Sequence, residues 1–184
     1  AEFILRLGAQ LARKAANKRN VWKTHSDGLE RCPGSITSWG IERAIQGAPR
    51  VPWSAAGYAR SLRTWIAKNV TAIHAVEFSI HHSAGFAGTA DALLDIQGKG
   101  PFIVDWKTSQ REKSEDMLTN YVDQCGAYSL GLKHLTGIQA AGAWIVIARR
   151  TGAPQIRELS TLELLGAEQR FTDRVGRYFS TPVS

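Results

Sequence analysis

The chain has 184 residues, 43% of them apolar, with 17 Gly and 6 Pro. That composition predicts one globular domain and excludes collagen-like, low-complexity or largely disordered chains. No apolar run approaches the roughly 20 residues that span a bilayer, and the start does not read as a secretory leader. The two cysteines, Cys32 and Cys125, are too few for a disulfide scaffold or for a four-cysteine zinc or iron–sulfur site. A single bridge between them stays open, although a reducing, cytoplasmic setting is the better expectation. Lys and Arg number 23 against 16 Asp and Glu, a net charge of +7. This balance favours a polyanionic partner, nucleic acid before membrane.

Residues 2–19 read as a helix, because Ile4, Leu7, Leu11 and Ala15 recur at helical spacing. Its other positions carry Arg6, Arg13, Lys14, Lys18 and Arg19, either a solvated face or a stripe that tracks phosphates. Residues 35–45 and 54–69 read as two further helices separated by a loop with Gly47, Pro49 and Pro52.

Period-two alternation then appears three times, over residues 75–80, 86–96 and 101–107, and predicts strands with one buried face. The connections at 81–85 and 97–99 are short and contain glycine, so the strands form an antiparallel meander. Residues 114–132 follow as a helix, 141–149 as a buried strand, 155–159 as a short edge strand and 161–179 as an amphipathic helix. Leu164, Leu165, Phe171, Val175 and Phe179 form the apolar face of that last helix. The predicted fold class is α/β or α+β, a mixed central sheet flanked by helices. The organisation expected is one domain over 1–184: a helical part over 1–70, a sheet core with its helix over 73–160, and a C-terminal helix over 161–180.

Residues opposite each other in an antiparallel pair point to the same face. A five-residue loop at 81–85 sets Ile80 opposite Phe86 and Glu77 opposite Thr89. A three-residue loop at 97–99 sets Asp91 opposite Asp105 and Thr89 opposite Lys107. Glu77, Asp91, Asp105 and Lys107 then share one face, and Val76, Phe78, Ala90, Ala92, Leu94, Val104 and Trp106 form a core on the other. A two-residue loop at Gly98-Lys99 shifts the register by one and breaks the cluster, unless a bulge restores it. Crowded carboxylates raise each other's pKa, so a cation is expected among them. Lys107 is one; a hard divalent ion, Mg²⁺ or Mn²⁺, suits the oxygen ligands. The plainer alternative from spacing alone is a surface ladder of salt bridges, Asp91 with Lys107 and Asp105 with an Arg.

Glu77, Gly88-Thr89-Ala90-Asp91, Val104-Asp105-Trp106-Lys107-Thr108-Ser109 and Gln124-Cys125-Gly126-Ala127-Tyr128 follow one another in order. This series resembles the PD-(D/E)XK nucleases of the RecB-like exonuclease branch, which reads Glu, GxxD, DxK and QxxxY. The stretches 85–91 and 103–109 are especially similar to phage exonucleases and to the mitochondrial genome maintenance exonuclease. The resemblance covers roughly residues 73–132 and implies a restriction-endonuclease-like core. It implies that Asp91, Asp105, the main-chain carbonyl of Trp106 and Glu77 hold Mg²⁺ or Mn²⁺, with Glu77 acting through a bound water or a second metal. It also implies that Lys107 positions the attacking water and stabilises charge in the transition state. Gln124 and Tyr128, one helical turn apart, would line the site. A polar rim on a packed helix is the alternative for that pair. One departure is plain: the branch often carries a ligating His in a Gly-x-x-x-His setting on an N-terminal helix, and here Gly57 is followed at that position by Ser61. His25 is the other His considered for that role. The iron–sulfur exonucleases of the same branch use four cysteines, so no such cluster is expected.

Further DNA contacts are expected from Thr108, Ser109, Arg111 and Lys113 after the DxK strand, with Arg60, Arg63, Asn69, Arg149 and Arg150 as additional candidates. Trp39, Trp53, Trp65 and Tyr58 are either core or stacking platforms for single-stranded bases. His81 and His82 are expected in a solvated loop. The resemblance, with the basic charge, implies a metal-dependent DNA exonuclease of replication, recombination or repair, acting on single-stranded or free-ended DNA and, as in the family, leaving a 5′-phosphate and a 3′-hydroxyl. An endonuclease, a nuclease module of a larger machine, and a non-catalytic DNA-binding protein are the alternatives. No membrane partner is expected, and replication or recombination partners are possible.

Overall fold

The computed structural model describes residues 56–180. The helices expected over 2–19 and 35–45, together with His25, Cys32, Trp39 and Trp53, lie outside the described residues. Within them the order is α1 (Ala56–Asn69), β1 (Val70–His82), β2 (Phe86–Ile96), β3 (Pro101–Ser109), α2 (Glu115–Thr136), β4 (Gly142–Arg149), β5 (Gln155–Leu159) and α3 (Thr161–Ser180). The five strands make one sheet in the order β1-β2-β3-β4-β5. All neighbours are antiparallel except β3 and β4, which are parallel, with α2 as the crossover between them. The expected meander, mixed sheet and flanking helices are all present. No described helix is long and apolar enough to cross a membrane.

The β2–β3 register pairs Ala92 with Val104 and Asp95 with Pro101. That is the register of the three-residue loop, continuing toward Asp91 opposite Asp105. The β1–β2 hairpin differs from expectation. His81 and His82 belong to β1 and pair with Ala87 and Phe86. The His82 ring stacks on Phe86, with centroids 5.1 Å apart and 8° between planes, and lies 4.6 Å from the His134 ring of α2. These contacts extend the ladder by two residues, so Ser79 pairs with Thr89 and Glu77 falls opposite Asp91, between Val76↔Ala92 and Phe78↔Ala90. A two-residue shift preserves which face each residue occupies. Strand β1 also begins earlier than the alternation indicated, because two bulges between Val70 and Ala75 break its period of two.

The expectation of a single buried face is corrected. Both faces of the sheet are covered. Tyr58, Leu62 and Trp65 of α1, spaced at helical intervals, pack with Leu94, Val104, Trp106, Trp144 and Val146 on one side. Leu118, Cys125, Tyr128 and Leu132 of α2 pack with Phe78, Ile80, Leu93, Ile103, Ile145 and Ile147 on the other. Phe78 and Ala90, expected beside Val76 and Ala92, lie instead on the α2 side. The alternation therefore slips at Glu77 and Asp91, where Glu77 has a left-handed φ of 46°.

Glycines let α2 approach its neighbours. A Cβ on Gly126 would lie 2.5 Å from the backbone carbon of Ala167 in α3, and one on Gly131 would lie 2.7 Å from the Ile80 side chain. Helix α2 starts with Glu115 and Asp116, which suit its dipole, and ends at Gly137, whose φ of 73° permits the left-handed cap. Helix α3 begins with a capping box: Glu163 accepts from the Ser160 N–H at 2.9 Å, and the Glu163 N–H donates to Ser160 Oγ at 3.3 Å. Its buried residues include Leu164 and Ala167. Phe171 and Val175 are half-buried, but Leu165 and Phe179, expected on the apolar face, are exposed.

Candidate active site

Three strands bring the predicted residues together. Asp91 sits in β2, with Asp105, Trp106 and Lys107 in β3. The Trp106 N–H donates to Asp91 Oδ2 at 2.8 Å. Lys107 Nζ lies 2.6 Å from Asp105 Oδ2. Asp105 is 0% exposed, and its Oδ1 has no hydrogen-bond partner among the described residues. The cause is the parallel pairing with β4, which sets Asp105 beside Ile145 and Lys107 beside Ile147, under Cys125 and Leu118 of α2. A carboxylate embedded in an apolar layer is costly unless paired or coordinated.

The electrostatics follow from this placement. Burial pushes the Asp105 carboxyl up to about 7; Lys107 opposes the rise and Asp91 adds to it. Asp91 is also raised, first by burial, against the pull of the Trp106 N–H and Lys107, with Glu77 adding to the rise. Glu77 is thus within electrostatic reach of Asp91, although it is exposed. No group of three or more His, Cys, Asp and Glu side chains among the described residues is gathered closely enough to hold a metal by itself. Asp91 and Asp105 form the inner pair, with Lys107 between charge and solvent, and Glu77, opposite Asp91 in the register, adds its charge from the exposed side.

Gln124 and Tyr128 come to the same side. Gln124 Nε2 donates to Tyr128 Oη at 2.5 Å. Tyr128 is 8% exposed, and its phenol is raised by burial first, then by Asp105 and Asp91. The Cys125 thiol, free and buried, is raised by burial and by Asp105. Lys107 and Lys113 both stand over the Tyr121 ring, 5.0 and 5.6 Å from its centroid. Tyr121 has no place in the four-motif pattern; its one sequence signal is its position one turn before Cys125.

The remaining candidates divide. Thr108, Ser109 and Lys113 are half-buried after Lys107, and Arg111 is exposed. Ser109 Oγ donates to the Arg111 carbonyl, and the Lys113 backbone is clamped by the Gln155 amide at 2.9 and 2.7 Å. Arg60, Arg63 and Arg150 are exposed, and Arg149 is half-buried. Asn69 is buried and spent on structure, donating to the Trp65 carbonyl at 2.8 Å and accepting from Gln97 at 3.0 Å. Trp65 and Tyr58 are core; Trp65 packs edge-on to Trp106 at 5.8 Å. Ser61, at the position where the branch often has His, is buried on α1, whose apolar residues face the opposite layer from α2. Sequence reasoning missed an ion-pair triad on a buried carboxylate: Asp123 of α2 is held by the exposed Arg170 at 3.0 Å and Arg174 at 2.6 Å, both from α3. Separations of 47 and 51 residues leave no local pattern from which to read it.

The profile of the PD-(D/E)XK nuclease superfamily matches residues 6–181, and the chain belongs to that superfamily. A solved structure from Eubacterium rectale, described as a candidate exonuclease, superposes with a TM-score of 0.54 at 14% identity, over 80% of this chain and 66% of its own. The chain thus spans slightly less than two thirds of that neighbour, and the likeness is one of fold. Five strands with helices on both faces form the restriction-endonuclease-like core of the superfamily. A search of the curated proteins finds no match.

Proposed function

We propose that the chain is a divalent-metal-dependent DNA exonuclease. The observation that supports this best is Asp105: fully buried, paired through one oxygen with Lys107, its other oxygen without a partner among the described residues, and Asp91 beside it. The donor set fits a hard cation: Asp91, Asp105 and the Trp106 carbonyl would hold it, and Glu77 would assist from the rim. When bound, Mg²⁺ or Mn²⁺ polarises the phosphodiester and lowers the pKa of water.

The chain's own groups do the rest. The Trp106 N–H fixes the rotamer of Asp91, so that both carboxylates stay on stiff strands at small entropic cost. Lys107 supplies an ammonium where negative charge grows on the phosphoryl oxygens, and Asp105 orients it. Gln124 fixes the Tyr128 phenol, and both border the approach of the phosphate backbone. Arg111 and Lys113 lie along the continuation of β3, where they would hold phosphates without reading sequence. Digestion from an end, rather than within the strand, is supported by the likeness to phage exonucleases and by the description of the Eubacterium rectale neighbour.

Calorimetric titration of Mn²⁺ into wild type and Asp105→Asn, followed by end-labelled and circular DNA with and without EDTA, tests the reading. Metal binding lost in Asp105→Asn, and cutting of linear but not circular DNA, is the expected result. Equal metal binding by both proteins removes the assigned site, and cutting of circular single strands makes the chain an endonuclease.

A further inference from the structure

Helix α2 carries one aromatic ring onto two ammonium groups. Lys107 Nζ of β3 stands 5.0 Å from the centroid of the Tyr121 ring, and Lys113 Nζ, from the connection before α2, stands 5.6 Å from it. Two like charges drawn to one ring repel each other, so something must hold them there. Resting on the nuclease reading, we propose that Tyr121 is a positioning residue: its ring holds Lys107 and Lys113 and presents both ammonium groups to the phosphate backbone of the DNA.

The framework brings these three residues together from separate elements. Lys107 lies opposite Ile147 in β4, and Ile147 lies opposite Gln155 in β5, so they form one row across the sheet. At the far end of that row, the Gln155 amide accepts from the Lys113 N–H at 2.9 Å and donates to the Lys113 carbonyl at 2.7 Å. The backbones of Lys107 and Gln155 are two strand spacings apart, roughly 10 Å. The Lys113 ammonium nevertheless reaches the ring that the Lys107 ammonium reaches. Tyr121 is half-buried and packs against the core between α2 and the sheet, which fixes the ring itself.

The face of an aromatic ring is negative and attracts an ammonium. Lys107 has a second tie, to Asp105 Oδ2 at 2.6 Å, so a carboxylate and a ring together fix its position. Lys113 is held by its clamped backbone and by the ring. A lysine is a point charge on a flexible four-carbon stem. Fixing such a side chain only when a ligand arrives weakens binding by a factor of roughly 2 to 12. The Tyr121 ring fixes two of them beforehand.

The test is binding of a labelled oligothymidylate to the full chain in EDTA, read by fluorescence anisotropy, with cutting in Mg²⁺ scored separately. Tyr121→Leu keeps an apolar side chain for the core but removes the ring, and should weaken binding at least about threefold. Tyr121→Phe brings the ring back without its hydroxyl and should recover the loss. Pentafluorophenylalanine, placed at position 121 by nonsense suppression, keeps the shape of that ring and inverts the charge on its face; it should weaken binding as leucine does. A side chain that only packed the core would not tell the two rings apart. In a Lys113→Met background, Tyr121→Leu should weaken binding by a smaller factor than in wild type, because one of the two contacts to the ring is already gone. Equal binding by the leucine and phenylalanine variants, equal binding by the plain and fluorinated rings, or an undiminished effect in Lys113→Met overturns the proposal. A chain whose binding follows the charge on the ring but which cuts nothing in Mg²⁺ upholds the role of Tyr121 and sinks the nuclease reading. One that cuts while its binding ignores the ring does the opposite.

Discussion

The backbone N–H of Trp106 donates to the carboxylate of Asp91 at 2.8 Å, and this bond couples β2 to β3 just beyond their last paired residues, Ala92 and Val104. The ladder is thus continued by a side chain where the backbone pairing stops. One Asp91 oxygen is thereby committed to the fold.

Asp105→Asn should separate stability from activity. The native Asp105 carboxyl is raised to about 7 from an ordinary value of 3.8. The native state therefore holds the proton more tightly than the unfolded chain. Its stabilising contribution is complete below about pH 4 and is lost as the pH rises through about 7. In EDTA, wild type should lose melting temperature between pH 5 and 8 more steeply than Asp105→Asn, and in Mg²⁺ the variant alone should lose cutting. Parallel melting curves for the two proteins would contradict the burial argument.

Two helical glycines should respond oppositely to alanine. At Gly126 a Cβ meets backbone atoms of Ala167 and Glu168 at 2.5–2.7 Å, so α2 and α3 must separate. A loss of about 1–3 kcal/mol is expected. At Gly176 nothing lies within 4 Å, and Gly176→Ala should gain about 0.5–1 kcal/mol from helix propensity. Urea unfolding of the two variants checks both signs.

Ser160→Ala removes the cap of α3 and should cost about 1 kcal/mol in urea denaturation at neutral pH. Glu163 is held down to about 2, first by the Ser160 N–H and hydroxyl and then by Arg157. Its contribution is present above the unfolded value of about 4.5 and fades as the pH falls toward 2. The gap between wild type and Ser160→Ala should therefore narrow in acid. A constant gap down to pH 2 would mean that the cap acts without Glu163.

Gln124 and Tyr128 should behave as one unit. In a double-mutant cycle of Gln124→Ala and Tyr128→Phe, unfolding should show a coupling of about 0.5–1.5 kcal/mol, the net worth of their hydrogen bond. Strict additivity would show that the 2.5 Å contact contributes nothing.

Much of this arrangement was legible in the sequence. The alternation of 86–96 and 101–107 and the short Gly98 turn placed Asp91 and Asp105 on one face in the observed register. The ordered motifs then named Lys107, Gln124 and Tyr128. What failed did so for tertiary reasons. His81 and His82 read as loop because part of what holds them in the strand, their ring contacts with His134 of α2, is distant in sequence. The face carrying Asp91 and Asp105 read as the polar, unburied one, because nothing local shows that α2 closes over it. The change of face at Phe78 and Ala90 stems from the left-handed backbone of Glu77, which alternation cannot encode. The Asp123 triad depends on two helices meeting at Gly126 and Ala167, a long-range event.

The single parallel junction also bears on how the molecule assembles. Strands β1 to β3 join through tight turns, whereas β3 finds β4 only after all of α2 has intervened. Nearby segments close rapidly and distant parallel partners slowly. The β2–β3 half of the site, with Asp91 and Asp105, is accordingly expected to form before β4 docks beside it, an order that pulse-labelled amide exchange during refolding would expose as protection at Leu93 and Ile103 preceding protection at Ile145.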